Sequence, residues 1–188
     1  EGTEVKAGET IFYSKNDEAV KFASPVSGKI VEIRRGDKRV ILEIRIQADA
    51  QDIFVDHGKK NPKEMTKEEV KAHLLASGCW PFIKQRPYDV IAHSNDTPKA
   101  IFVSGYSSAP LSADVEVALK DKVASFQAGI DALTKLTSGK VHLSVNGKSD
   151  SILNRISGVE LHKVFGPHPA GNVGIQIHKT NPINKGEI

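Results

Sequence analysis

Ile101-Phe102-Val103 is an apolar run with no polar residue between its members, and it constrains the fold more than any other stretch. A strand with one wet face alternates polar and apolar residues, so the segment from Lys99 to Gly105 is expected to be covered on both faces, as in a parallel sheet. The residues after it agree. Ser112 stands where an N-cap belongs, and Asp114 and Glu116 fall in the first turn, where the helix macrodipole favours acids. Leu119, Val123, Phe126, Ile130, Leu133 and Leu136 then recur three and four apart, the core stripe of an amphipathic helix closed by Lys135 and Gly139. A second strand is expected over Val141 to Gly147. Strand, long helix and strand in this order predict a right-handed βαβ crossover. A short helix near Asp150 to Ile156 and a strand over 159–165 complete the pattern.

That last strand leads into Phe165-Gly166-Pro167-His168-Pro169-Ala170-Gly171-Asn172-Val173-Gly174. Three glycines and two prolines exclude regular structure through most of it. Two readings stand side by side. One is a stiff turn that closes the sheet; the other is a rigid binding surface at the mouth of the sheet, where α/β folds place their sites. His168 is the one side chain in the loop that can donate, accept or carry a proton. The alternation in Ile175-Gln176-Ile177-His178 predicts a further strand.

The first 47 residues read as β structure. Val5-Lys6-Ala7-Gly8-Glu9-Thr10-Ile11-Phe12 is a turn feeding a strand, and Ala19–Ala23, Lys29–Ile33 and Val40–Ile46 are short strands set between turn signals. The two segments V-K-A-G-E-T-I-F and A-S-P-V-S-G-K-I-V are similar to the halves of a biotinyl/lipoyl carrier domain. A true carrier places its modified lysine between Met or Asp and Met or Ala at the hairpin tip. Here the tip is Ser14-Lys15-Asn16-Asp17-Glu18, so Lys15 lacks that context and neither biotinylation nor lipoylation is expected. Residues 48 to 61 form a polar linker with one short strand at Ile53–Val55. Its Asp52, Asp56 and His57 are metal-ligand types, with nothing to restrict their geometry. The domains are therefore expected to be 1–48, a barrel-sandwich β module, and 49–188, a Rossmann-like α/β domain.

Thr66-Lys67-Glu68-Glu69 is a capping box opening a helix over 66–77, with Met65 stapled on Val70 and Gly78 as its left-handed stop. Cys79-Trp80-Pro81-Phe82-Ile83-Lys84-Gln85-Arg86 follows. Trp80 and Phe82 there either pack inward or present an aromatic surface, beside Lys84 and Arg86, for a flat ring or an anionic group.

Several function classes drop out. With 39% hydrophobic residues the 188-residue chain can bury a core, so it is not a disordered segment. The net charge of +3, with acids and bases interspersed, is not the footprint of a nucleic-acid binder. The single cysteine, Cys79, excludes an intrachain disulfide. No apolar run approaches the roughly 20 residues that cross a bilayer. The chain opens without a methionine, and a fragment is expected. No dinucleotide fingerprint or paired catalytic carboxylates occur. Gly166 and Gly171 share the first spacing of a phosphate-binding P-loop, but Asn172-Val173 replaces its Lys and Ser/Thr, and a strand is expected to follow. No His/Cys group has zinc spacing, and His168 with His178 lacks a third ligand.

The order of the parts carries a resemblance over essentially the whole chain. A carrier-like module, then S-G-C-W-P-F-I-K-Q-R-P-Y, then I-F-V-S-G-Y-S-S-A-P-L-S-A-D, then F-G-P-H-P-A-G-N-V-G-I-Q-I-H resembles the A subunits of bacterial Na+-translocating NADH:quinone oxidoreductases. The resemblance implies a peripheral subunit on the cytoplasmic face of the bacterial inner membrane, in a complex that oxidises NADH, reduces ubiquinone and exports Na+. It implies an α/β domain related to the flavin-binding subunit of complex I. Bulky residues at 79–83, the absence of acids at Gly105–Pro110 and Pro169-Ala170-Gly171-Asn172 in the last loop suggest that the flavin has been lost. This chain is then expected to hold no cofactor and no metal, with FAD, FMN, riboflavin and 2Fe-2S in other subunits. Its expected partners are those subunits, the membrane-embedded B subunit foremost, and ubiquinone. No catalytic residue is assigned. Gly166, Pro167, His168, Pro169 and Gly171, with Trp80 and Phe82, are the candidate lining of a quinone or partner cleft. The alternative is a flavin- or nucleotide-binding module of an Rnf-like complex.

Overall fold

Five strands open the chain: β1 (Glu4–Val5), β2 (Thr10–Ser14), β3 (Asp17–Ala23), β4 (Gly28–Arg35) and β5 (Ile41–Ala48). In the computed structural model, which describes residues 1–188, β1, β4 and β5 form one antiparallel sheet and β2 and β3 a two-stranded hairpin. Alternation orients them. Gly28 and Ile30 are buried while Lys29 and Val31, alternating with them, are exposed. Phe12 and Phe22 stack across the hairpin at 4.5 Å between ring centres, a cross-strand pair of the kind that fixes register. Lys15 sits exposed in the two-residue tip. The expected strand at 53–55 is a single parallel bridge from Phe54 to Ala7. The linker's ligand-type residues work separately: Asp52 accepts from the Ser27 amide at 2.9 Å, Asp56 accepts from the Gly58 amide at 2.8 Å, and a ring nitrogen of His57 lies 3.3 Å from the Gly8 carbonyl.

Helix α1 (Lys67–Ala76) starts as its capping box requires. The Glu69 amide donates to the Thr66 hydroxyl at 3.2 Å, and the Thr66 amide donates to the Glu69 carboxylate at 2.8 Å. Met65 and Val70 are both buried. Gly78 closes the helix with φ +70°, a conformation in which a side chain would be strained, and a methyl group there would also press on Ala23 at 2.8 Å. A short 3-10 turn (Trp80–Phe82) and two two-residue strands, β6 (Lys84–Gln85) and β7 (Val90–Ile91), follow. One compact unit comprises Glu1–Lys59, Lys71–Lys84 and Ile91–Ser94; the other comprises Lys60–Val70, Gln85–Val90 and Asn95–Ile188.

The second unit is built on a parallel sheet of β8 (Ile101–Ser104), β9 (Val141–Asn146) and β10 (Glu160–Val164), with β9 in the middle. The parallel pairing of β8 and β9 fits the expected crossover. The strand covered on both faces is β9, however, whose first five residues are all buried; β8 lies at the edge and is only half-buried. One face of the sheet carries Val141, Leu143 and Val145 into a core with Ile130, Leu153 and Ile156.

Two sequence expectations are corrected here. The single long helix is two, α2 (Val115–Leu119) and α3 (Val123–Leu136), and the cap is Asp114, whose carboxylate accepts from the Glu116 amide at 2.8 Å, rather than Ser112. Lys120-Asp121-Lys122 interrupts the helix, a polar triplet with no apolar anchor, while Leu119 and Val123 on either side still reach the core. The expected strand over 175–178 is instead part of helix α4 (Val173–Thr180). Its buried positions are Gln176 and Ile177, with Val173, Ile175 and Thr180 half-buried, and a polar residue at the most buried part of that face hides the helical period.

Candidate functional site

The loop between β10 and α4 is folded on itself by its own backbone. The Ala170 amide donates to the Pro167 carbonyl at 2.9 Å and the Asn172 amide to the Pro169 carbonyl at 2.8 Å. The His168–Pro169 peptide is cis. Ser108, on the loop after β8, ties the segment down. Its hydroxyl accepts from the Gly171 amide at 2.8 Å and lies 3.2 Å from His168 Nδ1. The buried side chain of Gln176 donates to the Gly171 carbonyl at 3.1 Å, so both polar groups of the Gly171 backbone are satisfied. Gly171 is required by this fit: a methyl group there would overlap the Ser108 backbone and come within 2.9 Å of its hydroxyl oxygen.

On the α4 side of this loop, at the end of β8, lies a cleft of ≈ 630 Å3. Arg86, Ser104, Tyr106 and Ser107 line it together with residues 171–175. The first amides of a helix have no intrahelical acceptor, and Val173 and Gly174 at the start of α4 are among the lining residues. An arginine, three hydroxyl-bearing residues and a helix start favour a ligand with carbonyl or anionic oxygens. Arg86 is already engaged, 3.5 Å from Asp89.

Among the residues singled out from sequence, Gly171 borders the cleft, and Gly166, Pro167, His168 and Pro169 lie in the loop beside it. Trp80 and Phe82 belong to the other compact unit. Trp80 is 5% exposed and its indole N–H donates to the Ala92 carbonyl at 2.7 Å, the packing role, whereas Phe82 is 85% exposed. Arg86 was visible in the sequence only as a neighbour of the aromatic stretch. The P-loop objection also changes. A helix does follow the Gly166–Gly171 spacing, so the context is strand, loop, helix, and what remains against a P-loop is Asn172-Val173 in place of Lys and Ser/Thr.

Sequence spacing missed a second polar group on the same sheet. The parallel register sets Phe102, His142 and Glu160 in one row across the three strands, with His162 beside Ser144 in the next. His142 Nδ1 lies 2.9 Å from His162 Nε2 and 3.7 Å from a Glu160 oxygen. These are the three residues in the chain that present metal-type ligand atoms to one another, all within 4.8 Å. Burial first, then the His162 ring and Lys140, hold the His142 imidazolium below its ordinary range, against the pull of Glu160. Lys140 donates to Glu160 at 3.0 Å and holds that carboxyl below its own usual range. The signal lay in the strand period, since residues 160 and 162 share a face, but the strand partner of that face is not readable from spacing.

These features define a protein class: a small antiparallel β module joined to a parallel α/β domain with a cleft at its strand ends. The family model described as NqrA N-terminal barrel-sandwich hybrid domain matches residues 1–49, and that described as NqrA second alpha/beta domain matches residues 65–188. The chain belongs to the NqrA family. Among similar curated proteins, the A subunit of the Na(+)-translocating NADH-quinone reductase of Vibrio vulnificus (strain YJ016) is 36% identical over 189 residues, all of this chain and 42% of that protein. The subunits of the same name from Yersinia pestis and Histophilus somni (strain 2336) are 35% and 34% identical, each over 98% of this chain and 42% of theirs. The chain thus spans about 42% of the length of these relatives. No helix is long and apolar enough to cross a membrane.

Proposed function

We propose that this chain is the barrel-sandwich and α/β part of the A subunit in a sodium-pumping NADH:quinone reductase. The complex passes electrons from NADH to ubiquinone and couples them to Na+ export. The observation that carries this reading is the two family matches, in the relatives' order, within alignments that run the whole chain. The same matches favour it over an Rnf-like module. The protein sits peripherally on the cytoplasmic face of the inner membrane and docks on the membrane-embedded B subunit. It carries no flavin and no iron–sulfur cluster; FAD, FMN, riboflavin and 2Fe-2S belong to its partners. The α/β domain is related to the flavin-binding subunit of complex I and has lost that cofactor, a reading supported by the bulky 79–83 segment and the acid-free loop after β8.

Within the protein, the loop Gly166–Gly174 and the adjoining cleft receive a quinone head group or a segment of a partner subunit. The Arg86 guanidinium and the amides that open α4 suit an oxygen-bearing ligand, and His168 offers Nε2 beside them. Deleting the gene in its host is expected to abolish Na+-dependent quinone reduction by the membranes, and the intact gene to restore it. Membranes that keep full activity without it overturn the assignment. Stoichiometric flavin in the purified protein overturns the cofactor-free reading. His168→Ala and Arg86→Ala in the assembled complex separate the two occupants: a raised KM for quinone marks quinone, and lost co-purification of the B subunit marks a partner segment.

A further inference from the structure

We propose that His142, Glu160 and His162 form a binding site for one borderline divalent transition-metal ion of the zinc type. The site lies on the face of the parallel sheet opposite the Leu143 core, and it is independent of the functional reading above.

The ligand set is the first argument. Two imidazoles and one carboxylate are a recurrent donor set for Zn2+, which leaves a fourth position for water or a further ligand. Hard cations such as Mg2+ prefer oxygen-only shells, and two nitrogens select against them. Zn2+ has no redox chemistry, so such a site adds no electron carrier to the chain.

Geometry is the second argument. Tetrahedral bonds of about 2.0–2.2 Å place neighbouring ligand atoms roughly 3.3 Å apart. The His142–His162 and His142–Glu160 separations, 2.9 and 3.7 Å, bracket that value. All three ligand atoms lie within 4.8 Å of one another, so side-chain rotations of His162 and Glu160 would have to bring them onto a common ion.

Preorganisation is the third. His142 is 5% exposed, on the central strand, and its ring stacks on Phe102 at 4.5 Å between centres, 16° from parallel. The hydrogen-bond partner of its Nδ1 is another imidazole; for both nitrogens to bind one ion, the ring that donates in this N–H···N bond moves its proton to its other nitrogen through solvent. Glu160 is exposed and His162 half-buried, which gives the ion an entry path from solvent. Lys140 is the competing cation: it lies 3.0 Å from the Glu160 oxygen, but its side chain is 72% exposed and free to swing away. An ion here would staple β9 to β10 through their side chains.

The test uses the protein at its full natural length, stripped with a chelator and titrated with ZnCl2, and separately with CoCl2 as a spectroscopic probe. One equivalent of Zn2+ is expected to bind, to raise the unfolding temperature, and to resist competition by excess Mg2+. Co2+ should give the intense visible bands of a four-coordinate nitrogen–oxygen site. His162→Ala, at a half-buried position, should lower Zn2+ affinity on the order of a hundredfold. Glu160→Gln should lower it about tenfold or more. Less than one equivalent bound, or an unchanged affinity in a folded His162→Ala protein, overturns the proposal. Should His162→Ala fail to fold, Glu160→Gln at its exposed position decides alone, and unchanged affinity there overturns it equally.

Discussion

Single side chains hold the two most specific local arrangements in this chain. Gly171 is pinned between the Ser108 hydroxyl and the Gln176 amide, with no room for a methyl group. Gly171→Ala is therefore expected to cost about 1–3 kcal/mol, the usual range for overpacking. A thermal melt checks the cost, and loss of the Ser108–His168 contact in the variant's structure checks the cause. Asp17 is the second. Burial pushes its pKa up, but the Ser94 amide at 2.7 Å, the Ser94 side chain, His93 and the Ala19 amide together bring it below the ordinary aspartate value. The folded value being the lower one, this contribution is complete above the ordinary aspartate pKa and is lost as pH falls through the folded value. Asp17→Asn should then be less stable than the parent at pH 7, with the gap narrowing below about pH 4. Denaturant midpoints across pH test this, and a gap that is constant with pH contradicts it.

At the scale of elements, what the sequence revealed divides by the kind of force involved. Helix α1 was readable to within a residue because its signals are local: Thr66 and Glu69 cap each other, and Gly78 ends it in the left-handed region. Thr66→Ala should lower stability by about 1 kcal/mol, the typical value of a lost cap, with the loss visible as faster amide exchange in the first turn. The βαβ order was readable for the same reason, from the Leu119–Leu136 stripe. Helix α4 was not. Its inward face includes Gln176, a polar residue accepted there only because the Gly171 carbonyl lies 3.1 Å away. Ile175 and Ile177 flanking it read as a strand, and only tertiary structure arbitrates. The His142–Glu160–His162 group was equally hidden, since it depends on which strands pair and in what register. The candidate loop was legible as a rigid segment, but its anchor, Ser108, is far off in sequence and carries no motif.

Across the whole chain, the burden of stability falls unequally on the two compact units. The second has an apolar cluster in which Leu143, Val145 and Leu153 are all 0% exposed. The first combines Val5, Ala7, Val20, Ile30 and Trp80 with buried Ser24, Ser27 and Ser94, a smaller apolar set with a larger share of polar groups among its buried residues. Leu143 stands at the middle of the middle strand, paired with Val103 on one side and Leu161 on the other. Truncating it leaves a cavity that β9, hydrogen-bonded on both edges, has little freedom to close. Leu143→Ala is expected to cost about 3–5 kcal/mol, toward the upper range for buried leucine. Val20, 1% exposed in β3, loses less volume when truncated, and its strand pairs on one edge only with β2. Val20→Ala should cost about half as much. Hydrogen exchange reads the two separately, through the amides of Val141–Asn146 for the first variant and of Asp17–Ala23 for the second. If Leu143→Ala lowers protection in β9 by less than about a factor of ten, equivalent to 1.4 kcal/mol, the parallel sheet is not organised around that residue.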